Sequence, residues 1–355
     1  MNNERMFNLA KKLISIPSET GNEQAICNFL VTYLRENGME VQEQEVTPGR
    51  RNIYAYFPDH KPRFLFNTHI DTVPPQYGPQ EDDEYIYGRG ACDTDGIIAP
   101  LLEAIFDLHE NGIDDTGLLF VVGEEQGHDG ALAAAKHFPE PEFLVVCEPT
   151  DNKLALGGKG ILRLRLTSHG VSGHSGYPEK CDSAIHKLID ILLELKLDID
   201  GVPKDPILGN TLLNIGTISG GVAHNVVAEE AQCELFYRLT ENYDRTMERV
   251  EGILNKENAR NYHPSCNKNF TWKWTDRGNP ITLSTLPNFE TCVVAFGTDI
   301  PFFNWKNAKT FLIGPGSCLV AHKAPAENTL DGEYISKNEM VEAVDLYKKL
   351  VKSLK

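Results

Sequence analysis

The chain is 355 residues long, 41% hydrophobic and 24% charged, with a net charge of −17. That length favours two globular domains, and the composition is that of an ordinary folded protein. The acidic balance argues against nucleic acid and against anionic membrane surfaces as partners. No apolar run approaches the ~18 residues of a membrane span. Met1 to Arg5 lead into an amphipathic helix and not into the apolar core of a signal peptide, so a cytoplasmic location is expected. The eight cysteines (27, 92, 147, 181, 233, 266, 292, 318) are scattered, with no Cys-x-x-Cys pair. That pattern reads as free, mostly buried thiols in a reducing compartment. Any metal would therefore be held by His, Asp and Glu.

Met6, Phe7, Leu9, Leu13 and Ile14 recur at helical spacing before Pro17. Asn22 is expected to cap a second helix whose apolar face is Ile26, Phe29, Leu30, Tyr33 and Leu34, with Gly38 at its C-terminal stop. Residues 41–57 read as two strands around Pro48-Gly49. Phe64 to Phe66 is a short buried strand bounded by Pro62 and Pro74-Pro75. At its end stand His69 and Asp71, which strand alternation delivers to one face. A metal-bound histidine usually donates its other ring N–H to a carboxylate, so the pair reads as a ligand and its orienter. The plain alternative is a surface turn with a capping aspartate.

An acidic loop over residues 76–85 precedes Gly88-Arg89-Gly90-Ala91-Cys92-Asp93, where two glycines let the backbone pass close to a neighbour. A helix follows over residues 97–109, whose apolar character suggests burial. Leu118 to Val122 lacks alternation, as in a central parallel strand, and ends at Gly123-Glu124-Glu125. After a short helix at 131–137, the buried strand Phe143 to Cys147 ends at Glu148. Buried strands, each ending in an acid or a histidine and followed by a helix, predict an α/β domain. Its sheet would be mixed but mostly parallel, with helices on both faces and ligands outside the carboxyl ends of the strands.

The texture changes near Gly157. Leu162, Leu164 and Leu166 alternate with Arg163 and Arg165, the mark of a half-exposed antiparallel strand. A helix at 182–196, strands at 211–219 and 231–239, a helix at 244–254 and a strand at 270–274 complete a β-α-β-β-α-β order. This is a ferredoxin-like α+β arrangement. The α/β texture then returns with a helix at 285–296, a strand at 310–313 and a helix at 337–354. The predicted organisation is an α/β domain, 1–157 and 276–355, with an inserted α+β domain, 158–275.

His69, Asp71, Asp93, Glu124, Glu125 and Glu148 gather at strand ends, and His322 joins them from Gly314-Pro315-Gly316-Ser317-Cys318-Leu319-Val320-Ala321-His322. Such groups beside an apolar sheet cost heavily unless paired. Two divalent cations resolve the cost, and imidazole with carboxylate but no thiolate suits zinc, cobalt or manganese. Two ions about 3.5–4 Å apart need a bridging carboxylate and can share one water. Glu124 and Glu125 point to different sides of an extended strand end. One can bind metal while the other stays free as a general base. Taken alone, Glu-Glu reads as a solvated acidic turn.

These residues resemble the M20-type co-catalytic zinc metallopeptidases and deacylases, the group of aminoacylase, acetylornithine deacetylase and succinyl-diaminopimelate desuccinylase. The matching pieces, in family order along the whole chain, are His69-Ile70-Asp71, Gly88 to Asp93, Gly123-Glu124-Glu125, Cys147-Glu148-Pro149-Thr150, Gly173-His174-Ser175-Gly176-Tyr177-Pro178 and Ala321-His322. The resemblance implies that Asp93 bridges two metals, that His69 and Glu148 complete one site, and that Glu125 and His322 complete the other. It makes Glu124 the general acid/base and Asp71 the orienter of His69, and it implies a cis peptide at Asp93-Thr94. His174 is similar to a histidine that stabilises the oxyanion, in dimeric members for the neighbouring subunit. Asn225 and Arg238 match positions that touch polar groups of the substrate, and an arginine is the natural partner of a carboxylate.

Gly297-Thr298-Asp299-Ile300-Pro301-Phe302 and Gly314 to Ser317 look like acetylornithine deacetylase, and Glu148 is the deacylase and carboxypeptidase residue where aminopeptidases carry Asp. Asp93-Thr94-Asp95-Gly96 departs from the common Asp-Met-Lys-Gly, and the spacing from Ala321 to Glu327 is similar but not identical. The expected activity is removal of an N-acyl group, with acetyl from N-acetylornithine in arginine biosynthesis as the leading reaction. N-acetylcitrulline and N-succinyl amino acids are the other acyl substrates, and a di- or carboxypeptidase is the alternative. The expected cofactors are two divalent ions, zinc first and cobalt second, and the expected partner is a second copy of the chain. A non-catalytic metal-binding scaffold is disfavoured, because it would have no need of a free Glu124.

Overall fold

A computed structural model describes residues 3–260, 262–326 and 331–355. Glu327, at the end of the segment whose spacing departs from the family, lies outside the described residues. The chain forms two compact units. The first comprises Met1–Leu156, Leu283–Cys292 and Thr298–Lys355; the second comprises Gly157–Thr282 and Val293–Gly297.

The first unit is built on a six-stranded sheet in the order Glu40–Thr47, Arg50–Tyr56, Thr116–Val121, Phe64–His69, Phe143–Val146, Lys309–Leu312. The last four strands are parallel to one another, and the first two add an antiparallel hairpin at one edge. This is the mixed, mostly parallel sheet expected from the unbroken apolar runs. Alternation sorts the side chains. Ile53, Ala55, Phe64, Phe66, Leu118, Phe120, Phe143 and Val145 enter the main core with the apolar faces of helices Asn3–Ile14, Gln24–Glu36, Asp95–Glu110 and Lys337–Ser353. On the opposite face Tyr54 stacks on Phe138, at the end of helix Asp129–His137, with ring centroids 4.6 Å apart. Helices therefore cover both faces, and the carboxyl ends of the parallel strands stay available for polar groups.

The second unit has a four-stranded antiparallel sheet in the order Leu212–Gly220, Glu230–Leu239, Gly160–His169, Phe270–Gly278. Leu162, Leu164, Leu166, Cys233, Leu235 and Tyr237 pack with helices Ala184–Asp200 and Tyr243–Asn258. This is the ferredoxin-like order read from the alternation. Helix Ala184–Asp200 leaves Ile189, Leu193 and Leu197 exposed at a four-residue spacing, and edge strand Leu212–Gly220 leaves Leu212, Ile215 and Ile218 exposed.

Two local expectations fail. Residues 285–296 are not a helix: Asn288 is left-handed (φ 68°) just after Pro287, and β-branched Thr291–Val294 forms a strand. Asn22 does not cap the second helix, which starts after Glu23. The Glu23 side chain is fully buried and pairs with Arg50 at 2.8 Å. Among the described residues no helix is long and apolar enough to cross a membrane. All eight cysteines are free, and Cys27, Cys92, Cys147 and Cys233 are buried.

Phe66 is fully buried and meets Tyr347 edge-on at 5.8 Å. Phe66→Ala is expected to destabilise the first unit by about 3–5 kcal/mol. Its denaturation midpoint will fall relative to wild type, and an unchanged midpoint would show that this core does not carry the unit.

Candidate metal centre

The strand Phe64–His69 ends with a fully buried imidazole. The Nδ1 of His69 donates to the backbone carbonyl of Asp71 at 2.8 Å, which leaves Nε2 facing Asp93 Oδ1 at 3.0 Å and Glu148 Oε1 at 3.9 Å. The other oxygen of Asp93, Oδ2, lies 3.1 Å from His322 Nε2, and that nitrogen lies 2.8 Å from Glu125 Oε1. The two oxygens of Asp93 thus face two different donor sets, His69 with Glu148 and Glu125 with His322. Within each set the ligand atoms lie inside 4.8 Å of one another. Edges of about 3.3 Å are what a tetrahedral zinc site with bonds near 2.0–2.1 Å requires, and the observed spacings bracket that value. The donor chemistry and the shared carboxylate fit a pair of divalent cations.

Electrostatics points the same way. Burial pushes the carboxyls of Glu148 and Glu124 well above the usual range, and neighbouring carboxylates push them further. The imidazole of His322 is raised to about 10 by Asp93 and Glu125. Burial would lower the His69 imidazole, but Glu148, Asp71 and Asp93 override it and hold it well above its usual value. Carboxylates outnumber imidazoles here, and the excess negative charge is what cations would balance.

Backbone geometry fixes the donors. Gly123 turns with φ +74° at the strand end before Glu124, where a Cβ would fall 2.2 Å from Asp129 Oδ1 and 2.6 Å from the Arg50 guanidinium. Gly314 passes so close to Glu148 that a Cβ would sit 2.6 Å from its carbonyl oxygen. The carboxylate of Asp71 accepts from the Glu124 amide (3.0 Å), the Glu125 amide (3.2 Å) and the Thr20 hydroxyl (2.8 Å). His69 Nδ1 is 3.5 Å from that carboxylate. Asp71 therefore meets His69 mainly through its main chain, while its side chain anchors the Glu124-Glu125 turn. Burial raises its carboxyl, but His69, Thr20 and the Glu124 amide outweigh that and lower it. The Asp93-Thr94 peptide is cis, as the resemblance implied.

The seven expected residues of the first unit converge on this one place. The other three lie in the second unit. His174 is exposed on a short strand paired with Val226–Val227, and its Nδ1 accepts from the Gly176 amide at 3.0 Å. Asn225 is its neighbour, its carbonyl accepting from the Ser175 amide at 3.1 Å. Arg238 lies on strand Glu230–Leu239, with its guanidinium over the Phe236 ring at 4.6 Å.

Sequence reasoning gave no role to Glu333, Arg89, His128, Asp299 or Thr20. Glu333 is fully buried; its carboxylate accepts from the Cys92 amide (2.9 Å) and the Asp93 amide (3.0 Å), and it pairs with buried Arg89 at 2.6 Å. Arg89 also donates to the carbonyl of His322 at 3.3 Å. The pair ties the Asp93 and His322 loops together. In sequence Glu333 is one acid in a loop, and only its place beside Arg89 marks it. His128 and Asp299 pair at 3.0 Å beside Glu124. Thr20 had no signal beyond a hydroxyl in a loop. At Asp95, where the common motif has lysine, the carboxylate is buried and neither oxygen has a hydrogen-bond partner; burial pushes its carboxyl well above the usual range.

An α/β unit with paired metal-ligand sets beside the carboxyl ends of its parallel strands, and a ferredoxin-like second unit, is the class of protein that fold and site define. Relatives place it further. The chain is 34% identical to a "Peptidase M20 domain-containing protein" of Schizosaccharomyces pombe, over 98% of its own length and 84% of the relative's. It is 33% identical to a "Probable carboxypeptidase" of Ajellomyces dermatitidis, over 99% and 87%. The M20 "Peptidase dimerisation domain" family matches residues 156–261. In fold it resembles a tripeptidase from Staphylococcus aureus (TM-score 0.78, 20% identity, 100% of both chains) and an M20 family metallo-carboxypeptidase from Sulfolobus solfataricus (TM-score 0.75, 17% identity, 99% of both chains). The chain belongs to the M20 peptidase family and is a metal-binding hydrolase.

Glu333→Gln removes the charge that balances Arg89 and weakens the support of Asp93. Stability is expected to fall by roughly 3–5 kcal/mol and metal affinity by about 10–100-fold. Unfolding and metal titration of the same preparation read both, and unchanged metal affinity would remove Glu333 from the site.

Proposed function

We propose that the protein is a two-metal exopeptidase of the carboxypeptidase or dipeptidase kind. The observation that carries the reading is likeness to relatives named carboxypeptidase at 33–34% identity over 97–99% of the chain. It displaces N-acetylornithine as the leading substrate. The deacylase reading stays second because Asp299, from the segment that looks like acetylornithine deacetylase, lies beside the turn that carries Glu124.

In this reading Asp93 with His69 and Glu148 would hold one ion, and Asp93 with Glu125 and His322 would hold the other. When bound, the ions polarise the scissile carbonyl and acidify the attacking water. Glu124 takes the proton from that water as its oxygen attacks the carbonyl carbon, and returns it to the amine nitrogen as the C–N bond breaks. The anchoring of its backbone by Asp71 sets where the carboxylate reaches. His174 donates to the developing oxyanion, in its own or a partner's site. Arg238 and Asn225 hold the substrate's terminal carboxylate and polar groups. Zinc is the first metal to test and cobalt the second. The exposed apolar stripe Ile189, Leu193 and Leu197 and the edge strand beside it support a homodimer through the second unit.

The first test offers metal-loaded protein a panel of C-terminally free peptides, dipeptides, N-acetylornithine, N-acetylcitrulline and N-succinyl amino acids, with a chelator control. Chelator-sensitive cleavage of the peptides is expected to exceed that of the acyl amino acids; the reverse order would overturn the peptidase reading. Glu124→Ala is expected to keep both metals and lose turnover about 10²–10⁴-fold, whereas Glu125→Ala loses a metal. Equal metal loss in both would sink the assignment. Leu193→Glu with Ile218→Lys is expected to convert a dimer to a monomer by light scattering, and an unchanged mass would exclude this interface.

A further inference from the structure

A third donor set shares no residue with the two metal-ligand sets. Glu124, His128 and Asp299 each aim one ligand atom at a common point, with all three atoms inside 4.8 Å of one another. His128 Nδ1 lies 3.0 Å from Asp299 Oδ1 and 4.0 Å from Glu124 Oε1. One nitrogen therefore faces two carboxylates. It carries at most one proton, and the geometry gives that proton to Asp299. Among the described residues no donor reaches the Glu124 carboxylate within hydrogen-bond distance, although its side chain is only 12% exposed.

The set is held rigidly. His128 has left-handed backbone (φ 55°) and caps helix Asp129–His137, and its amide donates to the Gly123 carbonyl at 2.8 Å. Its ring stacks on Phe302, with centroids 4.0 Å apart and planes within 12°. Asp299 is 2% exposed and precedes helix Ile300–Phe303. Phe302 and Asp299 together fix the ring so that Nδ1, and not Nε2, faces the carboxylates.

We propose that Glu124, His128 and Asp299 form a third, inhibitory divalent-cation site, with zinc as the ion it fits best. One imidazole and two carboxylates, with spacings near the ~3.3 Å edge of a tetrahedral site, match zinc donor chemistry. A cation satisfies both carboxylates and the imidazole at once, which one proton on Nδ1 does not. Occupancy takes a carboxylate oxygen of Glu124, so this inference rests on the reading of Glu124 as the proton carrier. Filling the site and moving the proton then exclude each other. Free zinc would slow the enzyme without displacing either of the paired ions.

The test is equilibrium dialysis of the full chain against buffered zinc, with peptide turnover followed in parallel. Wild type is expected to hold two equivalents at limiting zinc and to take a third as free zinc rises, in step with loss of turnover. His128→Asn keeps a residue that tolerates left-handed backbone, and Asp299→Asn keeps the shape of the side chain. Both are expected to stop at two equivalents and to need about tenfold more free zinc for half-inhibition. Wild type that saturates at two, or a third equivalent retained in both variants, overturns the site. A third equivalent lost in the variants with an unchanged inhibition curve overturns its inhibitory role. Dialysis needs no turnover, so protein that takes the third zinc but cleaves no peptide overturns the exopeptidase reading and leaves this site standing.

Discussion

A carboxylate taken out of water must find a cation, and around Asp93 there are more carboxylates than imidazoles. Asp93, Glu125 and Glu148 share His69 and His322, while Glu124 sits alongside without a hydrogen-bond donor among the described residues. No apolar core pays such an excess without ions or protons, because burial lifts each acid toward its neutral form. The layout of the first unit follows from this constraint. Parallel strands end together, so their polar residues arrive on one side of an apolar sheet, and the sheet supplies the low-dielectric wall that makes each charge costly.

Holding those groups at the right separations falls to side chains that touch no expected ligand atom. Asp71 accepts three hydrogen bonds and sets the turn that points Glu124 and Glu125 in different directions. Arg89 and Glu333 join two loops far apart in sequence. In each case a buried charge is satisfied by backbone amides or an opposite charge, so the support is stiff and sensitive to small changes.

The fold was largely legible. Unbroken apolar strands gave the parallel sheet, and the leucine–arginine alternation at 162–166 gave the antiparallel insert. The convergence of His69, Asp93, Glu125, Glu148 and His322 was legible too: His69, Glu125 and Glu148 stand at or just after strand ends, and Asp93 and His322 follow glycine-bearing loops. What escaped depended on three-dimensional pairing without local pattern. Glu333 is one acid in a loop until Arg89 is placed beside it, and His128 and Asp299 are 171 residues apart. The helix expected at 285–296 does not form, because Pro287 and the β-branched run after it favour a turn and a strand. Substrate preference was the least legible: short segments pointed to a deacylase, whereas likeness over the whole chain points to peptidases.

The link between Glu333 and the Asp93 amide spans 240 residues. A chain made from its N-terminus therefore carries Arg89 and Asp93 long before the acid that steadies both exists. Until that late segment emerges, the Arg89 guanidinium has no anion to be buried against, and the loop bearing Asp93 has no anchor. Assembly of the site thereby waits for the synthesis of Glu333. A chain that stopped before Glu333 would hold most of the sheet yet lack the acid that anchors Asp93 and, if it stopped before His322, the second donor set as well.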